Sequence, residues 1–369
     1  MMKIPRERFW GVLLAGGHGE RLWPWSRRDY PKQFLTVTGH RSLLQAAYDR
    51  LTQLARPGQV LVIGNGANTD LVRQQLPRLP RDRWVGEPFG RNTAAAIGTA
   101  AYLIGREDPG AVMVVATADH VISPAAKWIE CMRAAAAVAL EDVDRLVCIG
   151  IRPTEPATGY GYVLPGPGRR RMPGATRWTA PIARFVEKPP RAVAQRLIRQ
   201  GALWNSGMFV WSLPAIARAL QRHLPQLTRA LVRTIRAEPG TRAFTAQLTR
   251  VYRQVPPISI DYGVMEHAAD RWVVPSSFTW DDVGSWTNIW QYLPLDPHGN
   301  AVRARHAGVE TKNTLILGEQ GHLIGTIGVK DLIIVQSRGV TLIAHRSQAQ
   351  RVRQLVARCQ EESRWRQHL

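Results

Sequence analysis

Several short stretches of this chain hold side chains suited to phosphate, a cation, a base or a sugar. The first is Gly16-Gly17-His18-Gly19-Glu20-Arg21, which follows an apolar run ending at Ala15. Glycines let a backbone approach a ligand closely and aim N–H groups at phosphate oxygens. Arg21, with Lys32 in Pro31-Lys32-Gln33-Phe34, adds two cations that suit a triphosphate. No Gly-Lys-[Ser/Thr] follows, and the dinucleotide pattern Gly-x-Gly-x-x-Gly is absent. A tight turn with two surface cations is the competing reading. Asp119-His120 follows the apolar run Val112 to Ala116. A carboxylate there can hold Mg²⁺ over a nucleotide, or it can cap the helix starting near Ala125. His120 is read as a hydrogen-bonding group, because no second His stands at metal spacing. In Glu87-Pro-Phe-Gly-Arg91-Asn92-Thr93, the Glu87 carboxylate can accept from the N1–H and 2-amino group of guanine. The alternative leaves Glu87 solvated and makes Asn92 a helix cap. Glu187 and Lys188 in Phe185-Val-Glu-Lys-Pro189 can meet sugar hydroxyls and a phosphate. Trp204-Asn205-Ser-Gly207, Ile260-Asp261-Tyr262 and Trp280-Asp281-Asp282-Val-Gly-Ser-Trp286 add an amide and further carboxylates. Taken singly, each suits a surface or capping role.

Elements that could position these groups are legible in the first two thirds. Trp10 to Ala15, Val60 to Ile63, Val112 to Ala116 and Leu146 to Ile149 read as buried strands. Ser42 to Leu54, Thr69 to Leu76, Asn92 to Ile104 and Ala125 to Leu140 read as helices between them. Continuous apolar strands alternating with helices indicate a parallel sheet covered on both faces, with ligands beyond the carboxyl ends of the strands. Further on, Thr158 to Val163 and Arg184 to Glu187 read as strands around a Gly/Pro/Arg-rich loop at 165–177. Arg191 to Gln200 and Pro214 to Ala237 read as helices. After a break at Pro294 to Asn300 come short strands over Asn313–Leu317, His322–Ile327, Asp331–Gln336 and Val340–Ala344. Val352, Leu355, Val356 and Cys359 then mark an amphipathic basic helix. The expected division is 1–295, 300–346 and 347–369.

The composition narrows the class. The 369 residues hold 45% hydrophobic and 21% charged residues, which excludes a disordered or collagen-like chain. Lys+Arg 49 against Asp+Glu 28 gives a formal charge of +21, the balance of a polyanion binder. Yet only six residues are lysines, and the 43 arginines are scattered rather than clustered, which argues for an arginine bias over a nucleic-acid stripe. No helix-turn-helix, RRM or zinc pattern accompanies the charge. Cys131, Cys148 and Cys359 lack metal or CxxC spacing, so a reduced compartment is expected. The apolar run Phe9 to Gly17 is too short to span a bilayer, and no cleavage site follows it; cytoplasm is the expected location.

Taken together and in order, these motifs resemble the mannose-1-phosphate guanylyltransferases of the sugar-nucleotidyltransferase family. The resemblance rests on Leu14-Ala-Gly-Gly-His-Gly-Glu-Arg-Leu-Trp-Pro-Trp-Ser-Arg27, Pro31-Lys-Gln-Phe-Leu35, Glu87-Pro-Phe-Gly-Arg-Asn-Thr93 and Ala118-Asp-His-Val-Ile122. It continues through Thr158-Gly-Tyr-Gly-Tyr162, Phe185-Val-Glu-Lys-Pro189, Trp204-Asn-Ser-Gly-Met-Phe209, Ser259-Ile-Asp-Tyr262 and Trp280-Asp-Asp-Val-Gly-Ser-Trp286, covering roughly residues 10 to 290.

The resemblance implies an α/β Rossmann-like nucleotidyltransferase domain with a mixed, mostly parallel sheet. A small C-terminal β domain, as a short left-handed β-helix, and a terminal helix would follow. It implies transfer of GMP from GTP to mannose 1-phosphate with Mg²⁺. Leu14, Ala15, Gly16, Gly17, Gly19, Arg21, Glu87, Asn92 and Asp119 would bind the nucleotide, and Arg21, Lys32 and Lys188 would act in catalysis. Gly161, Glu187, Lys188, Asn205 and Asp261 would bind the sugar phosphate, and Asp119 and Asp282 the metal. No isomerase domain is expected after Leu369, and a homodimer is expected, with neither nucleic acid nor membrane as partner. Trp25, Ala95, Thr117 and His267 depart from the usual residues of the family, and none of these changes removes a charged catalytic group. Another sugar 1-phosphate or nucleotide is the alternative; a nucleic-acid-binding protein is the remote one.

Overall fold

The computed structural model describes residues 4–17, 19–171 and 178–369. His18 and positions 172–177 of the Gly/Pro/Arg-rich loop lie outside the described residues. The chain forms two compact units. The first comprises Met1–Gly16, Ala47–Ala118 and Ile122–Trp280; the second comprises Gly17–Ala46, Asp119–Val121 and Asp281–Leu369. Among the described residues, no helix is long and apolar enough to cross a membrane.

The first unit is built on one ten-stranded sheet. Its strands are β1 (Phe9–Ala15), β2 (Val60–Asn65), β3 (Trp84–Glu87), β4 (Val112–Thr117) and β5 (Leu146–Ile151), then β6 (Tyr162–Pro165), β7 (Arg170–Arg171), β8 (Trp178–Val186), β9 (Leu203–Ser212) and β10 (Arg271–Pro275). The spatial order is β3-β2-β1-β4-β9-β5-β10-β8-β6, with β7 paired to β8. Only β8 and β9 run against the other strands, so the sheet is mixed with most strands in one direction. The apolar runs of β1, β2, β4 and β5 are buried nearly throughout, as strands covered on both faces must be. The helix Asn92–Glu107 is alanine-rich because it is pressed close to its neighbours: a Cβ at Gly98 would lie 2.8 Å from Leu227. One apolar cluster joins the sheet to the helices Leu213–His223, Pro225–Thr234 and Arg242–Gln254.

Two expectations need correction in this unit. Residues 158–161 bend without forming a strand, and the strand there begins only at Tyr162. The helix expected over 214–237 is two helices broken at Leu224, because Pro225 has no N–H to continue the ladder and opens the second helix instead.

In the second unit, β11 (Ala301–Arg303), β13 (Leu315–Leu317) and β15 (Leu332–Ser337) stack in parallel. β12 (Arg305–Val309) pairs in parallel with β14 (Leu323–Ile327), and β16 (Val340–His345) closes antiparallel on β15. The expected split at 346/347 is not how the side chains pack. Val352, Val356 and Cys359 of the helix Val352–Glu361 share one apolar cluster with Leu315 and Val335 of the strands. Leu22, Trp23 and Leu35 join the same cluster, and so do Val283 and Trp286. Leu355, expected on the buried face of the helix, is 39% exposed. Polar contacts bind the same segments: the Trp23 indole N–H donates to the His368 carbonyl (2.8 Å), and the buried Arg27 donates to the Ser337 carbonyl (2.7 Å).

Candidate functional site

The expected site residues fall into two sets, one in each unit. In the second unit the glycine loop turns at Gly17 and Gly19, whose φ values of 102° and 64° favour residues without a side chain. A Cβ at Gly19 would lie 2.4 Å from the Lys32 Cβ, so the loop backbone lies directly against the lysine stem. Arg21 sits half-buried on the short turn Glu20–Leu22. Lys32 is buried, and its ammonium donates to Asp119 Oδ2 at 3.0 Å and to the Asp282 carbonyl oxygen. Asp119, Asp282 and Lys32 are thus brought together. Burial works to raise the Asp119 carboxyl, but the Lys32 ammonium, with His120 beside it, outweighs burial and holds it below its ordinary value. His120 Nε2 lies 3.5 Å from Asp119 Oδ1.

The neighbouring aspartates part ways. Asp281 is tied into the fold: it accepts from the Val283 N–H (2.6 Å), the Asn288 amide (2.9 Å) and the Tyr292 hydroxyl (3.1 Å). Among the described residues the Asp282 carboxylate accepts only from the Gly284 N–H (3.1 Å), which leaves capacity for a ligand. Val283, which follows Asp282, has φ 47°, a conformation a β-branched residue adopts only under strain, and its side chain is fully buried. Among the described residues no three His, Cys, Asp or Glu gather as a metal centre. A cation here would rest on the Asp119 and Asp282 carboxylates and complete its shell with substrate oxygens and water. That all-oxygen set fits Mg²⁺.

The first unit holds the remaining residues. Leu14 and Ala15 end β1, where the Leu14 carbonyl accepts from the Ala118 N–H at 2.9 Å. Glu87 ends β3, and Tyr252 donates its hydroxyl to Glu87 Oε1 at 3.0 Å. The other carboxylate oxygen faces Gly16, where a Cβ would stand 4.0 Å away. Burial pushes the Glu87 carboxyl up to about 7, against the opposing pull of the Tyr252 hydrogen bond. Asn92 does not cap its helix in the usual way. It has φ 63°, its Oδ1 accepts from the adjacent Thr93 N–H (2.8 Å), and its amide NH₂ has no partner among the described residues. Arg91 donates to the Tyr252 carbonyl (2.7 Å) and lies over the Phe89 ring, so it is structural here.

Gly161, Glu187, Lys188, Asn205 and Asp261 converge in this unit. A bulge between Asn205 and Phe209, with Gly207 at φ 71°, turns Asn205 so that its amide donates to Asp261 Oδ1 at 2.7 Å. The Asn205 N–H donates to the Gly161 carbonyl at 2.8 Å. Lys188, at φ 46°, pairs with Glu187 Oε1 at 2.9 Å. Burial favours a lower Lys188 pKa, but the Glu187 carboxylate outweighs it and raises the value. Glu187 Oε2 is buried with no hydrogen-bond partner among the described residues, which leaves it free to accept from a ligand. Burial, reinforced by the Glu187 charge, raises the Asp261 carboxyl to about 6. Tyr160, Trp204 and Trp280 form an edge-to-face aromatic group flanking Gly161 and Asn205 in sequence. Tyr252 was not legible as a site residue. It lies in the last turn of the helix Arg242–Gln254, 165 positions from Glu87, and no local motif marks it.

A mixed sheet with a glycine loop after β1 and acid-and-base clusters at strand ends defines a phosphate-transferring α/β protein. The nucleotidyl transferase family model matches residues 10–297, and a MannoseP isomerase/GMP-like beta-helix domain model matches residues 304–359. The chain belongs to the nucleotidyl transferase family. Its relatives include the mannose-1-phosphate guanylyltransferase ManC of Salmonella typhimurium, 36% identical over 100% of this chain and 76% of that protein. The alginate biosynthesis protein AlgA of Pseudomonas fluorescens is 34% identical over 96% of this chain and 72% of that one. Among solved structures, a mannose-1-phosphate geranyltransferase from Thermus thermophilus superposes with a TM-score of 0.81 at 33% identity, covering 96% of this chain and 99% of the other.

Proposed function

We propose that this chain is an enzyme that transfers GMP from GTP to α-D-mannose 1-phosphate, giving GDP-mannose and pyrophosphate. The observation that carries this reading is the match to the Salmonella guanylyltransferase, 36% identical along the whole of this chain. A phosphate oxygen of the sugar phosphate attacks the α-phosphorus of GTP in line, and the bond to the bridging oxygen of pyrophosphate breaks. Both reactants are anions, so the protein's task is positioning and charge neutralisation, with no protein nucleophile.

Backbone N–H groups at Gly16, Gly17 and Gly19 cradle the triphosphate, with Leu14 and Ala15 forming the approach. Arg21 and Lys32 neutralise the charge that builds on the leaving pyrophosphate. Glu87 and Asn92 read the guanosine. Glu187, Asn205 and Gly161 receive the mannose hydroxyls, Lys188 meets the sugar phosphate, and Asp261 orients Asn205 through its hydrogen bond. Held by Asp119 and Asp282, Mg²⁺ would supply further neutralisation of the triphosphate. On the same reading the enzyme works in the cytoplasm as a homodimer, and neither nucleic acid nor membrane is a partner.

The test is pyrophosphate release with Mg²⁺ across GTP, UTP, ATP and dTTP, each with mannose, glucose and heptose 1-phosphates. GTP with mannose 1-phosphate should give the highest kcat/KM. Preference for another nucleotide would remove guanine reading from Glu87.

The pH dependence is specific. Glu87 must be a carboxylate to accept from guanine, and its pKa lies at about 7. The kcat/KM for GTP should therefore fall as pH drops below about 7. In Tyr252→Phe the charged form loses a donor, so that acidic limb should move to higher pH. KM for GTP at neutral pH should rise by about tenfold, the order of one hydrogen bond to a charged group. An unmoved pH profile would detach Tyr252 from base recognition.

A further inference from the structure

Away from the residues assigned above, the first unit has a cavity of about 600 Å³, a volume suited to a small organic ligand. Arg152, just past the end of β5, and Arg169 line it together with Trp178 and Ser276. No acidic side chain is among the described residues of the lining. Neither arginine has an ion pair or hydrogen bond among the described residues. Elsewhere in this unit arginines commonly neutralise carboxylates, as Arg145 does with Asp270 and Arg83 with Glu107. The Arg169 guanidinium lies 3.4 Å from the centre of the Trp178 ring, and Trp178 packs on the apolar core. That stacking fixes the plane of the guanidinium before any ligand arrives. Two uncompensated guanidiniums on one cavity, one of them pre-oriented, make a receptor for a phosphoryl group.

We propose that this cavity is a second anion site that binds a phosphorylated small molecule. Ala202 and Leu203 at the start of β9 form part of its wall, and Asn205 lies two residues further on. The packing there has no slack: a Cβ at Gly150, the partner of Asn205 across the sheet, would stand 2.5 Å from Leu203 and 2.8 Å from Val273. A ligand that moves Leu203 therefore moves the strand that carries Asn205. Occupancy should act on the KM for sugar phosphate rather than on the KM for GTP. The binding itself does not depend on the reaction proposed above; only the kinetic effect does.

The experiment is calorimetric titration of the whole protein with inorganic phosphate, pyrophosphate and mannose 6-phosphate, compared with Arg152→Gln/Arg169→Gln and, separately, Trp178→Leu. The three probes separate a bare anion site from one that needs a sugar. In Lys32→Ala, used to weaken phosphate binding at the glycine loop, one class of site should remain for at least one probe. Adding Arg152→Gln/Arg169→Gln should weaken it by about tenfold or more, since each guanidinium bond to a charged group is worth roughly a factor of ten. Trp178→Leu should weaken it while retaining both charges. Without added anions, the arginine pair variant should turn over like the parent. Equal binding by Lys32→Ala with and without the two arginines, or no binding of any probe by the parent beyond the reaction site, overturns the proposal. Binding lost in the arginine pair variant with an unchanged sugar-phosphate KM in the parent at saturating probe retains the site and overturns its coupling to β9.

Discussion

Lys32→Ala is expected to lower kcat by about 10²–10³, the usual loss when one group that stabilises a developing anion is removed. Two effects add. On the proposed mechanism the charge that meets the leaving pyrophosphate is gone, and Asp119 loses the ammonium that holds its carboxyl below the ordinary range. The Asp119 pKa should therefore rise in the variant, and its residual activity should be lost at a higher pH than in the parent. Lys32→Arg should not restore the rate. The Gly19 backbone lies against the lysine stem, and a broad planar guanidinium cannot occupy the place of a compact ammonium. Steady-state kinetics, with a melting curve to verify folding, check both variants. Near-normal turnover in Lys32→Ala would remove that residue from the reaction.

The second large effect is expected at Gly161. An added methyl at that position would lie 2.3 Å from Glu187 Oε2, a contact closer than any two such atoms tolerate. The carboxylate must therefore swing aside, and with it the buried oxygen that lacks a protein partner. Gly161→Ala should lower kcat/KM for mannose 1-phosphate by about 10², as displacements near 1 Å in a positioned site do. The KM for GTP should stay within a factor of about two, because Glu87 and Tyr252 are untouched. Varying each substrate in turn separates the two. An equal loss with both substrates would mean that Gly161 serves the fold rather than the sugar.

The readable parts of this fold were those where one physical signal dominates. The apolar runs of β1, β2, β4 and β5 announced buried strands, and the alanine-rich Asn92–Glu107 announced a close-packed helix. β9 was hidden because Asn205, Ser206 and Gly207 interrupt its apolar pattern, and those residues are the ones that form the bulge. β10 starts with Arg271 and Trp272, whose indole lies under the Arg145 guanidinium, so its polarity masked a central strand. The site residues were legible wherever motifs run in order along the chain. Tyr252 and the division of labour between Asp281 and Asp282 were not, since both depend on partners that only folding brings near. The arginine excess is explained in part by stacking, which a planar cation does and an ammonium does less well. Arg83 lies over Trp10, Arg338 over Tyr30 and Arg346 over Trp290.

The second unit draws on residues 17–46 and on residues 281–369, with roughly 235 residues of chain between them. This fixes the timing of maturation on the ribosome. Leu22, Trp23 and Leu35 emerge early, but the strands and helix that cover them are synthesised much later. Until then the glycine loop has no packed support. Contacts as remote as Trp23 to His368 carry a high closure entropy and form slowly. The nascent protein can complete its large sheet before it holds the glycine loop in place. Support for the glycine loop is therefore acquired late, once residues far along the chain have emerged.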